Sequence, residues 1–172
     1  MKELAGLTNF FTRVRNRMRY GELSRMPLVL LRVEWKGDLV ECDWLMRESD
    51  PWDRDLPAHQ AEEHLTSQAL KDALDLREIV FQSFPAVTRA NLRMFRGISE
   101  DQRQLKMAGT LDRSDDITTQ ARSLAMRAKL CGFHFNLTRG ALETLIEECD
   151  AAPLHSEPAD VSFTSIPMSD ES

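Results

Sequence analysis

A small group of ionisable residues at the predicted start of a long helix is the strongest candidate for catalysis. His59 shares a helix face with Glu62 and Glu63, and Asp53 and Asp55 lie just upstream. A histidine beside carboxylates could act in general acid–base catalysis or hold a metal ion. The same spacing is more often a solvated first turn in which His59 pairs with Glu63, and we favour that interpretation.

No other residue pattern predicts a catalytic centre or a cofactor. Cys42, Cys131 and Cys149 are widely spaced and fall on predicted apolar faces, where burial makes a thiol unreactive. His59 and His64 are five residues apart, whereas two metal ligands on one helix face need a spacing of three or four. The sequence contains no glycine-rich phosphate-binding motif, nucleophile elbow or zinc-protease motif. We therefore expect neither a bound metal nor a cofactor.

Three arginines form the clearest polar pattern. Arg89, Arg93 and Arg96 stand at i, i+4 and i+7 in a segment, residues 85–97, that we predict to be a helix. Three guanidinium groups on one face could bind an anion or an acidic partner, although such a face is more often solvated and balanced by nearby acids. Nucleic acid is a poor candidate partner, because the chain carries a net charge of −6 and its basic residues are not interleaved with aromatic ones.

Residues 3–20 are predicted to form an amphipathic helix. Its apolar stripe is about 120° wide, with Arg15 and Arg19 along one side and Arg13 and Arg17 along the other. Such a helix could lie on an anionic membrane surface. Docking onto the rest of the domain explains the stripe equally well and is our preferred interpretation. The stripe comprises Leu4, Leu7, Phe10, Phe11, Val14 and Met18.

Residues 28–46 carry the clearest strand pattern and are predicted to form a β-hairpin. A turn at Lys36-Gly37 places Val33 opposite Val40 and gives the hairpin two unequal faces. The predicted core face comprises Val29, Leu31, Val33, Val40, Cys42 and Trp44. The other face mixes leucines with charges, including an Arg32–Glu41 pair, and could bind a partner. The predicted interaction surface comprises Leu30, Leu39, Leu45 and, in the loop that follows, Trp52.

The remaining patterns predict helices, and the expected fold is therefore mostly α. Helices are predicted at residues 57–82, 85–97, 99–109 and 114–131, with a last one from Asn136 or Thr138 to residue 149. The expected architecture is a bundle of about five to six helices packed against one hairpin. Residues 1–149 would form one domain, and residues 150–172, rich in Ser, Pro and acid, a disordered tail.

The function that these patterns favour is a non-enzymatic protein-interaction domain of an adaptor or regulatory kind. Widely spaced cysteines indicate reduced thiols and hence the cytoplasm. No apolar run is long enough to cross a membrane. Two alternatives stay open: an enzyme centred on His59, Glu62 and Glu63, and a peripheral membrane protein that uses residues 3–20. The acidic residues of the tail could also attract the arginines at 89, 93 and 96.

Overall fold

A mixed five-stranded sheet and three helices make up most of the structure. The computed structural model describes residues 2–97, 99–114 and 121–146. The helices are α1 (Lys2–Met18), α2 (Ala58–Ser83) and α3 (Leu124–Leu130). The strands of the sheet are β1 (Val29–Lys36), β2 (Leu39–Leu45), β3 (Arg89–Arg96), β4 (Gln104–Asp112) and β5 (Phe133–His134). Two further strands, β6 (Leu137–Thr138) and β7 (Ala141–Leu142), form a separate small hairpin.

The strands lie in the order β1-β2-β3-β4-β5, and only β2 and β3 run parallel. Parallel neighbours need a crossover connection, and α2 provides it. Its predicted extent, residues 57–82, is confirmed to within a residue or so. Its buried residues include the apolar side chains Leu65, Ala69, Ala73, Leu76, Ile79 and Val80 at helical spacing.

The prediction of a mostly helical bundle is wrong. Residues 89–96 and 104–109, which were predicted to be helical, lie in the strands β3 and β4. In β3 the apolar side chains of Ala90, Leu92 and Met94 are fully buried and alternate with polar ones. This period of two is a strand pattern, and pairing with β2 on one side and β4 on the other stabilises it. The fold is therefore α+β, with a substantial sheet.

The predicted hairpin exists, but its register differs from the expected one by two residues. The turn is Gly37-Asp38, and Gly37 adopts a φ of 62°, which glycine tolerates without strain. Val33 therefore lies opposite Cys42. A shift of two residues leaves each side chain on its predicted face. An irregularity between Leu30 and Arg32 changes this near the start of β1, where Leu30 faces Trp44 and packs against the core.

The C-terminal part of the described chain also departs from the predicted helices. Only residues 124–130 of the predicted helix 114–131 are helical in the described residues, and residues 115–120 lie outside them. Residues 137–142 form the β6–β7 hairpin where the last helix was expected. Its expected end, residues 147–149, and the predicted disordered tail, residues 150–172, lie outside the described residues.

Helix α1 docks on the domain, in agreement with the preferred interpretation of its apolar stripe. Phe10, Val14 and Met18 are buried in the same core as α2 and the sheet. Arg13 donates to Gln82 at 2.9 Å and Arg17 to Glu78 at 3.1 Å, so both of these arginines face α2.

A buried ion pair fixes the connection between α1 and β1. The Arg47 guanidinium donates to Asp72 on α2 at 2.7 Å, and both side chains are at most 4% exposed. The same guanidinium donates to the main-chain oxygens of Met18 at 2.6 Å and Met26 at 2.7 Å. Burial raises the pKa of Asp72, while Arg47 opposes that shift.

None of the described helices is long and apolar enough to cross a membrane.

Candidate interaction surface

All three helices contribute to one hydrophobic core on one side of the sheet. Every second residue of the central strands points into this core, including Cys42, Leu92 and Leu111. Their neighbours in sequence point to the opposite side, which no helix of the described residues covers. We call this side the open face. Its residues on the four long strands include Arg32, Glu34, Glu41, Asp43, Asn91, Arg93, Phe95 and Thr110.

Asp43 lies at the centre of the open face, between two arginines. Its carboxylate accepts from the Arg32 Nε at 3.1 Å and from the Arg93 Nε and Nη2 at 2.9 and 2.7 Å. Only 6% of the residue is exposed. The Arg93–Asp43 contact is bidentate, an arrangement that fixes the guanidinium in place. Arg32 also contacts Glu41 at 3.4 Å, so the predicted Arg32–Glu41 pair forms, although Asp43 is the direct partner across the strands.

Two depressions run along the open face from this centre. Their volumes are about 740 and 390 Å³, and both are lined by Arg32, Asp43 and Arg93. Because they share these residues, they form one elongated groove. The larger end also contains the apolar side chains Leu31, Phe95 and Leu105 together with Arg103, and the smaller end contains Asn91, Thr110 and His134.

Arg103 differs from the other arginines of the groove because its charge has no partner within the described residues. Its Nε is buried and makes no hydrogen bond, and no carboxylate of the described residues lies within ion-pair distance. Glu100 lines the same end of the groove, but only its main-chain oxygen contacts Arg103, at 3.4 Å from the Arg103 backbone N. Buried polar groups are normally satisfied by a protein group, water or a ligand.

The predicted ridge of Arg89, Arg93 and Arg96 does not form, because these residues lie on a strand. Alternation along β3 places Arg89 and Arg93 on the open face and Arg96 on the helix side. Arg89 lies 3.6 Å from Asp38, and Arg96 forms a 3.0 Å ion pair with Glu62. Of the three, only Arg93 lies in the groove.

The apolar residues of the predicted interaction surface are dispersed. Leu39 and Leu45 are half-buried on the open face, whereas Leu30 packs against the core on the helix side. Trp52 is 79% exposed in a short 3-10 turn, Pro51–Asp55. The sequence patterns placed Asp43 on the mixed face of the hairpin but did not identify it as the centre of a site, and they missed Arg103. The available signal for Asp43 was the alternation of charged residues along the two strands, Arg32 and Glu34 on β1 and Glu41 and Asp43 on β2. No sequence signal was available for Arg103.

The residues proposed for acid–base chemistry lie apart from the groove. His59 and Glu63 are exposed on α2, and Glu62 pairs with Arg96. Within the described residues, no group of three His, Cys, Asp or Glu side chains has the arrangement of a metal site. Cys42 and Cys131 are buried, and burial raises the pKa of Cys42 to about 12. Cys149 lies outside the described residues.

A second exposed surface lies on the outward side of α1. At 100° per residue, Leu4, Phe11 and Arg15 fall within an arc of about 40°, and Arg19 follows the last residue of the helix, Met18. Leu4 is 67% and Phe11 49% exposed, although both belong to the predicted apolar stripe. Arg15 and Arg19 line a depression of about 480 Å³ whose apolar lining includes Leu30. Neither arginine forms an ion pair with a described residue, and Arg19 stacks over the Tyr20 ring.

Comparison with known proteins found no similarity on which an assignment could rest. No family model matches the chain, and no curated protein or solved structure matches it significantly.

Proposed function

We propose that this chain is a non-enzymatic, cytoplasmic protein-interaction domain that binds a partner on the open face of its sheet. One observation carries the proposal: the helices occupy one side of the sheet, and the other side presents an elongated groove around a fixed Arg32–Asp43–Arg93 centre. A centre whose charged groups hydrogen-bond to one another is rigid, and rigid polar groups support specific recognition at low entropic cost.

The shape of the groove favours an extended protein segment as the ligand. It crosses four strands and is open to solvent along its length, whereas sites for small substrates are usually enclosed and mostly apolar. His59 is exposed on α2 and Glu62 is engaged by Arg96, and this arrangement supports a non-enzymatic role. The buried free thiol of Cys42 supports a reducing compartment.

Site-specific photo-crosslinking in cells tests this proposal. A benzoylphenylalanine in place of Thr110, which is exposed on the open face, is expected to give a discrete crosslinked protein. The same residue in place of Gln60, exposed on α2, is the matched control and should give none. Equal crosslinking from both positions, or none from Thr110, would contradict the proposal.

A second candidate function, reversible binding to an anionic membrane surface, is favoured by the outward side of α1. Docking on the domain uses Phe10, Val14 and Met18, which leaves Leu4 and Phe11 exposed beside arginines. Arg13 and Arg17 are occupied by α2, but Arg15 and Arg19 form no ion pair with any residue that the structure describes. Apolar residues flanked by arginines are typical of helices that lie in the membrane interface.

Vesicle sedimentation tests this second candidate. At low salt the chain should pellet with vesicles that contain phosphatidylserine and not with pure phosphatidylcholine vesicles, because the attraction is electrostatic. The double variant Arg15→Gln/Arg19→Gln should lose most of this binding. The variant Arg122→Gln/Arg139→Gln removes the same charge from exposed positions elsewhere and should retain it. Equal losses in the two variants would show a non-specific charge effect and exclude this role for α1.

A further inference from the structure

The Arg103 end of the groove carries the features of a binding site for a carboxylate. Its Nε is buried without a partner, and its charge is uncompensated within the described part of the chain. Because the Nε is buried, the two terminal nitrogens of Arg103 are the donors that a ligand in the groove can reach. Arginine binds carboxylates through two parallel hydrogen bonds, and a carboxylate bound there would compensate the charge of Arg103.

The surroundings of Arg103 indicate more than a single bound anion. Leu31, Phe95 and Leu105 line the same end of the groove and offer an apolar contact beside the charge. Gln104 and Thr144 lie at its rim, hydrogen-bonded to each other at 3.1 Å. A ligand that fits this arrangement has a carboxylate with an apolar group adjacent to it. In an extended peptide, acidic and apolar side chains two residues apart point to the same side and meet this requirement.

We propose that the Arg103 end of the groove binds a glutamate or aspartate side chain in an extended acidic segment of the partner, with a neighbouring apolar side chain against Phe95. This proposal rests on the function proposed above. It adds the chemistry of the bound segment and assigns Arg103 the role of its anchor. Arg32 and Arg93 hold Asp43 and shape the floor beneath the segment, since their guanidinium groups are engaged by that carboxylate.

Nuclear magnetic resonance of the full-length, ¹⁵N-labelled chain can observe the Arg103 Nε–H group directly, with Arg103→Lys identifying its signal. The probe is the acetylated and amidated peptide Glu-Thr-Leu-Thr-Glu, in which Glu and Leu share one side when the peptide is extended, and the matched control peptide has Gln in place of Glu. We expect the Arg103 signal to move with the first peptide and to stay in place with the second. Affinity should fall at least about tenfold in Arg103→Gln, the cost of one charge-assisted hydrogen bond or more.

Arg127→Gln is the matched control variant, because Arg127 also has a buried Nε without a partner but lies on α3, away from the groove. It should bind the glutamate peptide as the wild type does. Equal affinities of wild type and Arg103→Gln would overturn the proposal. Binding that appears only after Glu147→Gln/Glu148→Gln would also overturn it, since the chain's own carboxylates would then fill the site. Crosslinking from Thr110 without any response of Arg103 would reject this ligand class and leave the proposed function standing.

Discussion

Replacing Arg47 with Met is expected to lower the free energy of unfolding by about 3–5 kcal/mol, because it leaves the Asp72 carboxylate buried without its counter-charge. The substitution also removes the hydrogen bonds to Met18 and Met26, which hold the connection between α1 and β1. Urea denaturation at pH 7 measures the loss. Arg17→Met is the control: the side chain of Arg17 is 40% exposed, and its ion pair with Glu78 should contribute less than about 1 kcal/mol.

The loss of unfolding free energy in Arg47→Met should depend on pH in a defined direction. Burial raises the pKa of Asp72, and without Arg47 nothing of comparable strength opposes that shift. A carboxyl whose pKa is higher in the folded than in the unfolded state contributes stability that is complete below the unfolded pKa, about 3.9, and is lost as the pH rises through the folded pKa. The deficit of the variant should therefore be smaller at pH 4–5 than at pH 7. The double variant Arg47→Met/Asp72→Leu should recover much of the loss at pH 7 and show no such dependence. An unchanged deficit across this range would argue against a charged, buried Asp72.

Replacing Phe10 with Ala is expected to lower the free energy of unfolding by about 3–5 kcal/mol, the cost of emptying a fully packed aromatic site. Phe10 is 0% exposed, and its ring lies 5.8 Å from that of Phe84 at the end of α2. Phe84 in turn lies 5.1 Å from the Trp35 ring on β1. Truncation at Phe10 therefore disrupts the point where α1, α2 and the sheet meet.

Phe11→Ala is the matched control, since Phe11 is the next residue on the same helix but is 49% exposed. It loses one edge-on ring contact with Phe10 and should cost about 1 kcal/mol or less. Chemical denaturation of the two variants in parallel gives the comparison. Equal losses would mean that α1 is not docked through the Phe10 side, and the assignment of Leu4 and Phe11 to an outward surface would then fail as well.

The sequence was most informative where apolar residues recur at a constant spacing over a long stretch. The stripe of α2 predicts its position, and the alternation of Val40, Cys42 and Trp44 predicts the buried face of the hairpin. The register could not be fixed, because Lys36-Gly37 and Gly37-Asp38 turns both keep the faces. The alternation across Ala90, Leu92 and Met94 was present as well, but three arginines at helical spacing gave an equally regular alternative.

The candidate site was less accessible to prediction than the fold. The open face combines residues of β1, β2, β3 and β4. The parallel pairing of β2 with β3 across the α2 crossover determines which of these residues become neighbours. Arg93 meets Asp43 across 50 residues of sequence, a contact that no local pattern encodes. The unsatisfied Nε of Arg103 is a property of packing alone. Once the segment at 85–97 is misassigned as a helix, Arg96 joins Arg93 on one face, whereas the strand separates them.

Partner binding requires that the open face be accessible in the whole chain. Thiol labelling of the variant Asn91→Cys/Cys149→Ser tests this accessibility most directly. Asn91 lies opposite Glu41 on the open face of the central strand β3, and Cys42, the next residue of β2 and on its buried face, is the internal comparison. Cys42 is 0% exposed, and burial raises its pKa to about 12. At pH 8 roughly one Cys42 in 10,000 is then ionised, so its reaction with a disulfide reagent should be negligible. We predict that the cysteine at position 91 reacts at least about 100-fold faster than Cys42 in the native full-length protein. Equal protection of the two thiols would show that another part of the chain covers this face, and would contradict the proposed binding surface.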